Sequence, residues 1–257
     1  MPSYSARPAL ADLRRRIEML ESKETPGGRS ARFCALGPLK MTLGALHEIR
    51  PHDWRDAPAA YGLALAMAGK VAAVARKPTV WISTARAISS VGRTYGCALH
   101  SFGVNSAKFI AVFSRNAQET LWAAEEASGT ASVGAVLIEF LEPHRLLDLT
   151  ATRRLQLAAE SSQTFPILLR SGDDAEPSAA RTRWRVAAAP SAIDAYDVKS
   201  SGNSRWRVEL EKCRNGGRGM WMLEWDNERG ELREATIYRR AVPEMVDGSP
   251  EKTAAIV

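Results

Sequence analysis

The chain has 257 residues, a formal net charge of +6 and only three cysteines. That length suits one large α/β domain or two small ones and buries a core without disulfide or metal staples. Cys34, Cys97 and Cys213 lie far apart with no metal-ligand spacing, each reading as a small buried hydrophobe. No apolar run reaches the ~18 residues of a membrane span, and "MPSYSARPALADLRRR" lacks the apolar core of a signal peptide, so a reducing, cytoplasmic setting without membrane contact is expected.

"ALADLRRRIEMLES" places Leu10, Leu13, Ile17 and Leu20 on one helical face, and "KETPGGRS" breaks it. The reading is an N-terminal helix and linker over residues 1–30, with Leu13, Ile17 and Leu20 as candidate partner-binding residues. From residue 44 a βα alternation begins. "ALHEI" reads as a short strand, with Asp56 as the cap of the following helix and Pro58 in its first turn. "TVWIS" (79–83), "KFIAVFS" (108–114), "VGAVLIEF" (133–140) and "TFPILLR" (164–170) read as strands. "RTYGCALHSFGV", "NAQETLWAAEEAS" and "PHRLLDLTATRRLQLAAESS" read as the intervening helices. The continuous apolar run at 133–140 is of the kind buried on both faces, and the alternation predicts a mostly parallel sheet flanked by helices.

After residue 170 the pattern changes. "SGDDAEPSAART" is an acidic, Pro-containing loop, and the letters R-W-R-V then occur twice, at 183–186 and 205–208. Period-2 alternation puts Trp184 and Val186 on one side of a strand and Arg183 and Arg185 on the other, and the second copy repeats this. "NGG" (215–217) is a turn signal and "GMWMLEWD" its partner strand, so the sheet is expected to end in an antiparallel C-terminal extension. The core is read as residues 31–234 and the tail, 235–257, as a flexible acidic segment. Residues 181–220 carry nine Lys/Arg against four acids, and residues 221–257 five against eight. A basic middle of this kind suits either nucleic-acid contact or a solvated surface.

The order "LGALHEI", a loop, an Ala-rich helix, "VWIS", "FGVNSAKFIAVFSRNAQETLWAAEEA", "VGAVLIEF", "PILLR" and "TRWRV…WRVELEKCRNGG" resembles a RecA-like core. More closely, residues 9–227 are similar to the ImuA family of bacterial SOS mutagenesis proteins, which are related to RecA and also described as SulA-related. The resemblance implies an α/β, RecA-like fold with a mostly parallel sheet. It also implies a phosphate-binding loop where "EIRPHDWRDAPAAYGLALAMA" stands. A working loop reads G-x-x-x-x-G-K-S/T, its glycines admitting backbone amides to the phosphates, its Lys neutralising them and its hydroxyl holding Mg²⁺. With Pro51 as the second loop residue, Arg55 falls at the second Gly, Asp56 at the Lys and Ala57 at the hydroxyl position. Arg50 and Arg55 offer point charges only. No nucleotide cofactor and no metal are therefore expected. Glu139 stands where the Mg²⁺-organising acid would be, as a vestigial acid or a paired residue at a strand end. Thr84-Ala85-Arg86 offers no carboxylate to activate water. The scattered His47, His52, His100 and His144 form no catalytic set, so no enzyme activity is expected.

By the same resemblance, the second DNA-binding loop would be "SGDDAEPSAART", whose Asp173, Asp174 and Glu176 repel a phosphate backbone. The first, "LEPHRLLDLT", is short and nearly neutral. Arg183, Arg185, Arg205, Arg207, Lys212, Arg214 and Arg218 are the better DNA-contact candidates, or else an arginine-rich solvent face. The implied function is a non-catalytic assembly factor of SOS-induced translesion synthesis. Its implied partners are an ImuB-type inactive Y-family polymerase and an error-prone polymerase III alpha subunit, with RecA as a further partner. Two rival readings are a SulA-type cell-division inhibitor and a residual nucleotide-dependent switch.

Overall fold

A computed structural model describes residues 33–84, 95–140, 144–170, 177–191, 202–214 and 217–235. The N-terminal helix with Leu13, Ile17 and Leu20, the acidic stretch 171–176, Ala85 and Arg86, and the tail beyond Ala235 lie outside the described residues.

The sequence-read strands appear as β3 (His47–Pro51), β4 (Thr79–Thr84), β5 (Phe109–Ser114), β6 (Ala135–Phe140), β7 (Phe165–Arg170), β8 (Thr182–Ala189), β9 (Arg205–Cys213) and β10 (Gly219–Asp226). They join β11 (Glu231–Glu234) in a nine-stranded sheet of order β11-β10-β9-β8-β3-β7-β6-β4-β5. The six strands from β8 to β5 pair in parallel, and β9, β10 and β11 extend the sheet antiparallel. The fold is thus α/β with a mostly parallel sheet and an antiparallel extension. Two elements had no counterpart in the sequence reading. One is the hairpin β1 (Phe33–Leu36) and β2 (Leu39–Thr42), and the other is β11.

Among the described residues four helices flank the sheet: α1 (Ala57–Ala75), α2 (Gly96–Ser101), α3 (Ala117–Gly129) and α4 (Leu149–Ser162). Asn116 caps α3 and Asp148 caps α4, their side chains accepting from Glu119 N and Ala151 N. The latter cap starts α4 later than the apolar periodicity alone suggested. On one face of the sheet, α1 and the β1–β2 hairpin pack on Ile49, Leu137, Ile167, Trp184, Trp206 and Trp225. On the other face, α3 and α4 cover Val80, Ile82, Val136, Ile138 and Leu168. Strands β6 and β7 lie between the two cores and are buried at every residue, which accounts for the apolar runs Ala135–Ile138 and Phe165–Leu169. The helical stretch Trp54–Ala75 is long and apolar enough to cross a membrane by length and composition, which corrects the sequence-based count of apolar runs. Of its most apolar window, 67% is buried inside the fold, as befits a core helix.

A polar relay joins β3 to β8, the last strand of the parallel part of the sheet. His47 Nε2 lies 2.9 Å from the Thr42 carbonyl, which can only accept, so Nε2 carries the proton. His47 Nδ1 then accepts from Thr182 Oγ1 at 2.7 Å, leaving that oxygen to accept from Trp184 Nε1 at 2.7 Å. Full burial pushes the His47 pKa down to about 4, with Arg181 adding to the shift and the Thr42 bond opposing it.

Two outcomes follow for stability. The unfolded chain protonates His47 near pH 6.5 and the folded chain only near 4, so its contribution is complete above pH 6.5 and is lost between there and pH 4. The loss amounts to about 3 kcal/mol. Urea unfolding at pH 7 and pH 4 should show that decrement in the wild type and its absence in His47→Gln. Separately, a Cβ on Gly69 would meet Phe102 O at 2.6 Å and Gly103 C at 2.9 Å. Gly69→Ala should therefore lower stability by about 1–3 kcal/mol, against the usual gain of up to ~1 kcal/mol for this change in a helix. Urea midpoints of the two proteins test the sign.

Candidate functional site

The residues of the degenerate phosphate loop form a closed turn. Pro51 ends β3, and Trp54–Asp56 make one 3₁₀ turn before α1. Asp53, not Asp56, is the side-chain cap: its Oδ1 accepts from Arg55 N at 2.9 Å, while Asp56 Oδ2 accepts from Asp53 N at 3.2 Å. This corrects the sequence reading, in which Asp56 capped α1. As the residue before α1, Asp56 makes no such bond to the helix. Its other oxygen, Oδ1, accepts from Ala188 N at 2.8 Å, and His52 N donates to Val186 O at 2.7 Å. Both contacts tie the turn to β8. Pro58 falls in the first turn of α1 as the sequence suggested. Behind the turn, Pro51, Ala57, Ala60, Tyr61, Leu169 and Arg170 leave a cavity of about 20 Å³. That is on the order of one water, where ligand pockets hold ~300 Å³ or more.

Glu139, next to the end of β6, is buried and accepts a hydrogen bond at each oxygen. Tyr61 Oη donates to its Oε1, and Trp81 Nε1 donates to Oε2 at 3.2 Å. The Tyr61 and Trp81 rings stack 5.9 Å apart. Burial, then the Glu139 charge and the hydrogen bond to it, push the Tyr61 phenol well above its ordinary pKa. Of the two readings the sequence left open, this is the paired residue. Its partners lie 78 and 58 positions earlier, beyond the reach of any local pattern.

The arginine-bearing strands divide into two groups. Arg183 is buried, its Nε 3.1 Å from Glu48 Oε1 and its Nη2 3.2 Å from Glu48 Oε2. Ser178 Oγ donates to Glu48 Oε2 at 2.6 Å, and Arg170 Nη1 lies 3.7 Å from Oε1. Lys212 donates to the Ser178 carbonyl at 2.7 Å, and Arg185 pairs with Glu211. Arg205 pairs with Glu224, whose carboxyl burial would raise but which hydrogen bonds from Arg233, Arg205 and Asn203 hold below the usual range. These cations crowd one another. Burial, with Arg183 beside it, lowers the Lys212 pKa, and burial lowers that of Arg50, with Glu48 opposing and Arg183 and Arg185 adding. Arg207, Arg214 and Arg218 are exposed. The seven candidates for DNA contact therefore form no single open stripe. Four are engaged within the sheet and three face solvent.

Among the described residues no group of three or more His, Cys, Asp or Glu is placed to hold a metal ion. The cysteines are free, Cys34 buried and Cys97 exposed, so the reading of all three as buried holds for the first and fails for the second. His52, His100 and His144 are exposed, and only His47 belongs to the core. A feature the sequence reading did not single out is Trp54, which is 75% exposed on the closed turn, with the Arg55 guanidinium 5.2 Å from its ring centroid. The signal was an aromatic set between charges in a loop, "HDWRD".

Removing Glu48 should leave buried guanidinium groups without their anion. Glu48→Gln is expected to cost about 3–5 kcal/mol, and Arg207→Ala to stay within about 0.5 kcal/mol, both read from urea midpoints.

No protein-family model matches the chain. Over 204 residues it is 35% identical to the Protein ImuA of Caulobacter vibrioides, in strain NA1000 / CB15N and in strain ATCC 19089 / CIP 103742 / CB 15. The alignment covers 72% of this chain and 76% of each relative. With that identity sustained over most of both proteins, the chain belongs to the ImuA family.

Proposed function

We propose that this chain is a non-catalytic assembly factor of damage-induced mutagenesis, built on a RecA-like fold whose nucleotide site has closed. Family membership supports the link to damage-induced mutagenesis. The observation that carries the non-catalytic part is the double use of Asp56. Its carboxylate stands where a phosphate-binding Lys is expected and holds the backbone of both Asp53 and Ala188. A polyphosphate would meet a negative charge there, and the cavity behind the turn, about 20 Å³, has no room for one. Glu139, at the position of the acid that would organise Mg²⁺, already accepts from Tyr61 at one oxygen and Trp81 at the other.

In this reading the protein acts through its surfaces, in translesion synthesis with an ImuB-type inactive Y-family polymerase and an error-prone polymerase III alpha subunit. RecA is a further partner, since related folds stack on one another. The SulA-type alternative gains nothing from the family result.

Two measurements test the proposal. Titration with a fluorescent ATP analogue and Mg²⁺ should give no Kd tighter than about 1 mM, and the purified protein should not hydrolyse ATP. Hydrolysis that disappears in Asp56→Ala would overturn the closed-site reading. Tagged protein recovered from DNA-damaged cells should bring down both polymerase components, identified by mass. Recovery of neither, with filamentation on overexpression and unchanged induced mutagenesis on deletion, would replace this reading with the cell-division one.

A further inference from the structure

The turn that closes the loop also holds one side chain out into solvent. Five hydrogen bonds fix it: Arg55 N to Asp53 Oδ1, Asp53 N to Asp56 Oδ2, Asp56 N to Asp53 O, Ala188 N to Asp56 Oδ1 and His52 N to Val186 O. Pro51 and Pro58 restrict the backbone on either side. At the head of this turn Trp54 is 75% exposed. The turn lies at the carboxyl end of β3, beside parallel strands, the edge at which open α/β sheets take their ligands.

We propose that Trp54 and Arg55 are an anchor for a partner protein that offers an apolar, indole-sized pocket bordered by a carboxylate. This inference rests on the assembly role proposed above and says where one of its contacts is made. Trp and Arg are the side chains that most often dominate protein–protein affinity. Trp has only two side-chain torsions to immobilise, and a turn already fixed by hydrogen bonds loses little further freedom on binding. The Arg55 guanidinium, 5.2 Å from the ring centroid, has no carboxylate partner among the described residues, and that sets the charge expected on the partner. A small-molecule occupant is disfavoured, because the cavity behind the turn holds only about 20 Å³. Single-stranded nucleic acid is disfavoured as well. It would stack on an indole, but a phosphate backbone lays repeated charges along the turn and past the carboxylates of Asp53 and Asp56, whereas a single partner carboxylate meets Arg55 alone.

The test uses the full chain and the purified inactive polymerase, with affinities measured by calorimetry. Trp54→Ala should weaken binding by about thirtyfold or more, the range of an interface hot spot. Arg55→Ala should weaken it several-fold, and the urea midpoints of both should match wild type. A photoreactive amino acid at position 54 should form a covalent adduct with the polymerase, independently of any effect of alanine on folding. If wild type binds and Trp54→Ala binds within twofold of it, or no adduct forms, the anchor is refuted while the assembly role stands. If wild type binds neither polymerase component, both fail. If Trp54→Ala instead reduces retention of a single-stranded oligonucleotide and leaves polymerase binding intact, the partner class is wrong.

Discussion

A single buried carboxylate, Glu48, stands where the parallel sheet turns into an antiparallel one. It lies on β3, opposite Arg183 of β8 in a parallel pair, and β8 in turn pairs antiparallel with β9. Above this part of the sheet no helix among the described residues repeats the apolar cover that α4 gives to β7, so charges fill the face. A buried anion stabilises only when its lone pairs are met. Glu48 Oε2 accepts from Arg183 and Ser178, its Oε1 lies within ion-pair distance of Arg183 and Arg170, and the Ser178 carbonyl in turn accepts from Lys212 of β9. The strand at which the sheet changes type, β8, is thus held to β3 by charge pairing on one face and by the His47–Thr182–Trp184 relay on the other. Because both sets of bonds demand His47 opposite Thr182 and Glu48 opposite Arg183, they specify the register of β8 against β3.

What was legible in the sequence follows from the range over which each signal acts. The strands of the parallel sheet and the R-W-R-V strands carry their own periodicity, so local reading found them. The arginine faces were found too, but their meaning was not, since the carboxylate that neutralises Arg183 lies 135 positions earlier. Period-2 alternation says which residues share a face and nothing about what covers it. The β1–β2 hairpin is a different kind of miss. Its Gly37-Pro38 turn is a local signal, and Gly37 adopts a φ of +58° with Leu232 O where a side chain would sit. Its strands have four residues each, too few to establish a period. The same shortness hid β11.

The closed turn shows how a local motif depends on a distant strand. Read alone, "PHDWRDAP" contains two aspartates, either of which can cap a helix. Only the position of β8 decides between them, because Ala188 N presents a donor to Asp56 and leaves Asp53 to cap the 3₁₀ turn. A lysine at position 56 would break two hydrogen bonds, while the exposed Ala188 amide would turn to water. It would not widen the turn, which Asp53 and the His52–Val186 bond would still draw toward β8. Opening a phosphate cradle also requires amides that point into the loop, and here those of Asp53, Arg55 and Asp56 are already bonded within the turn. The closure is therefore a property of several residues acting together, and a one-residue reversal of the charge would leave the geometry that excludes a phosphate in place.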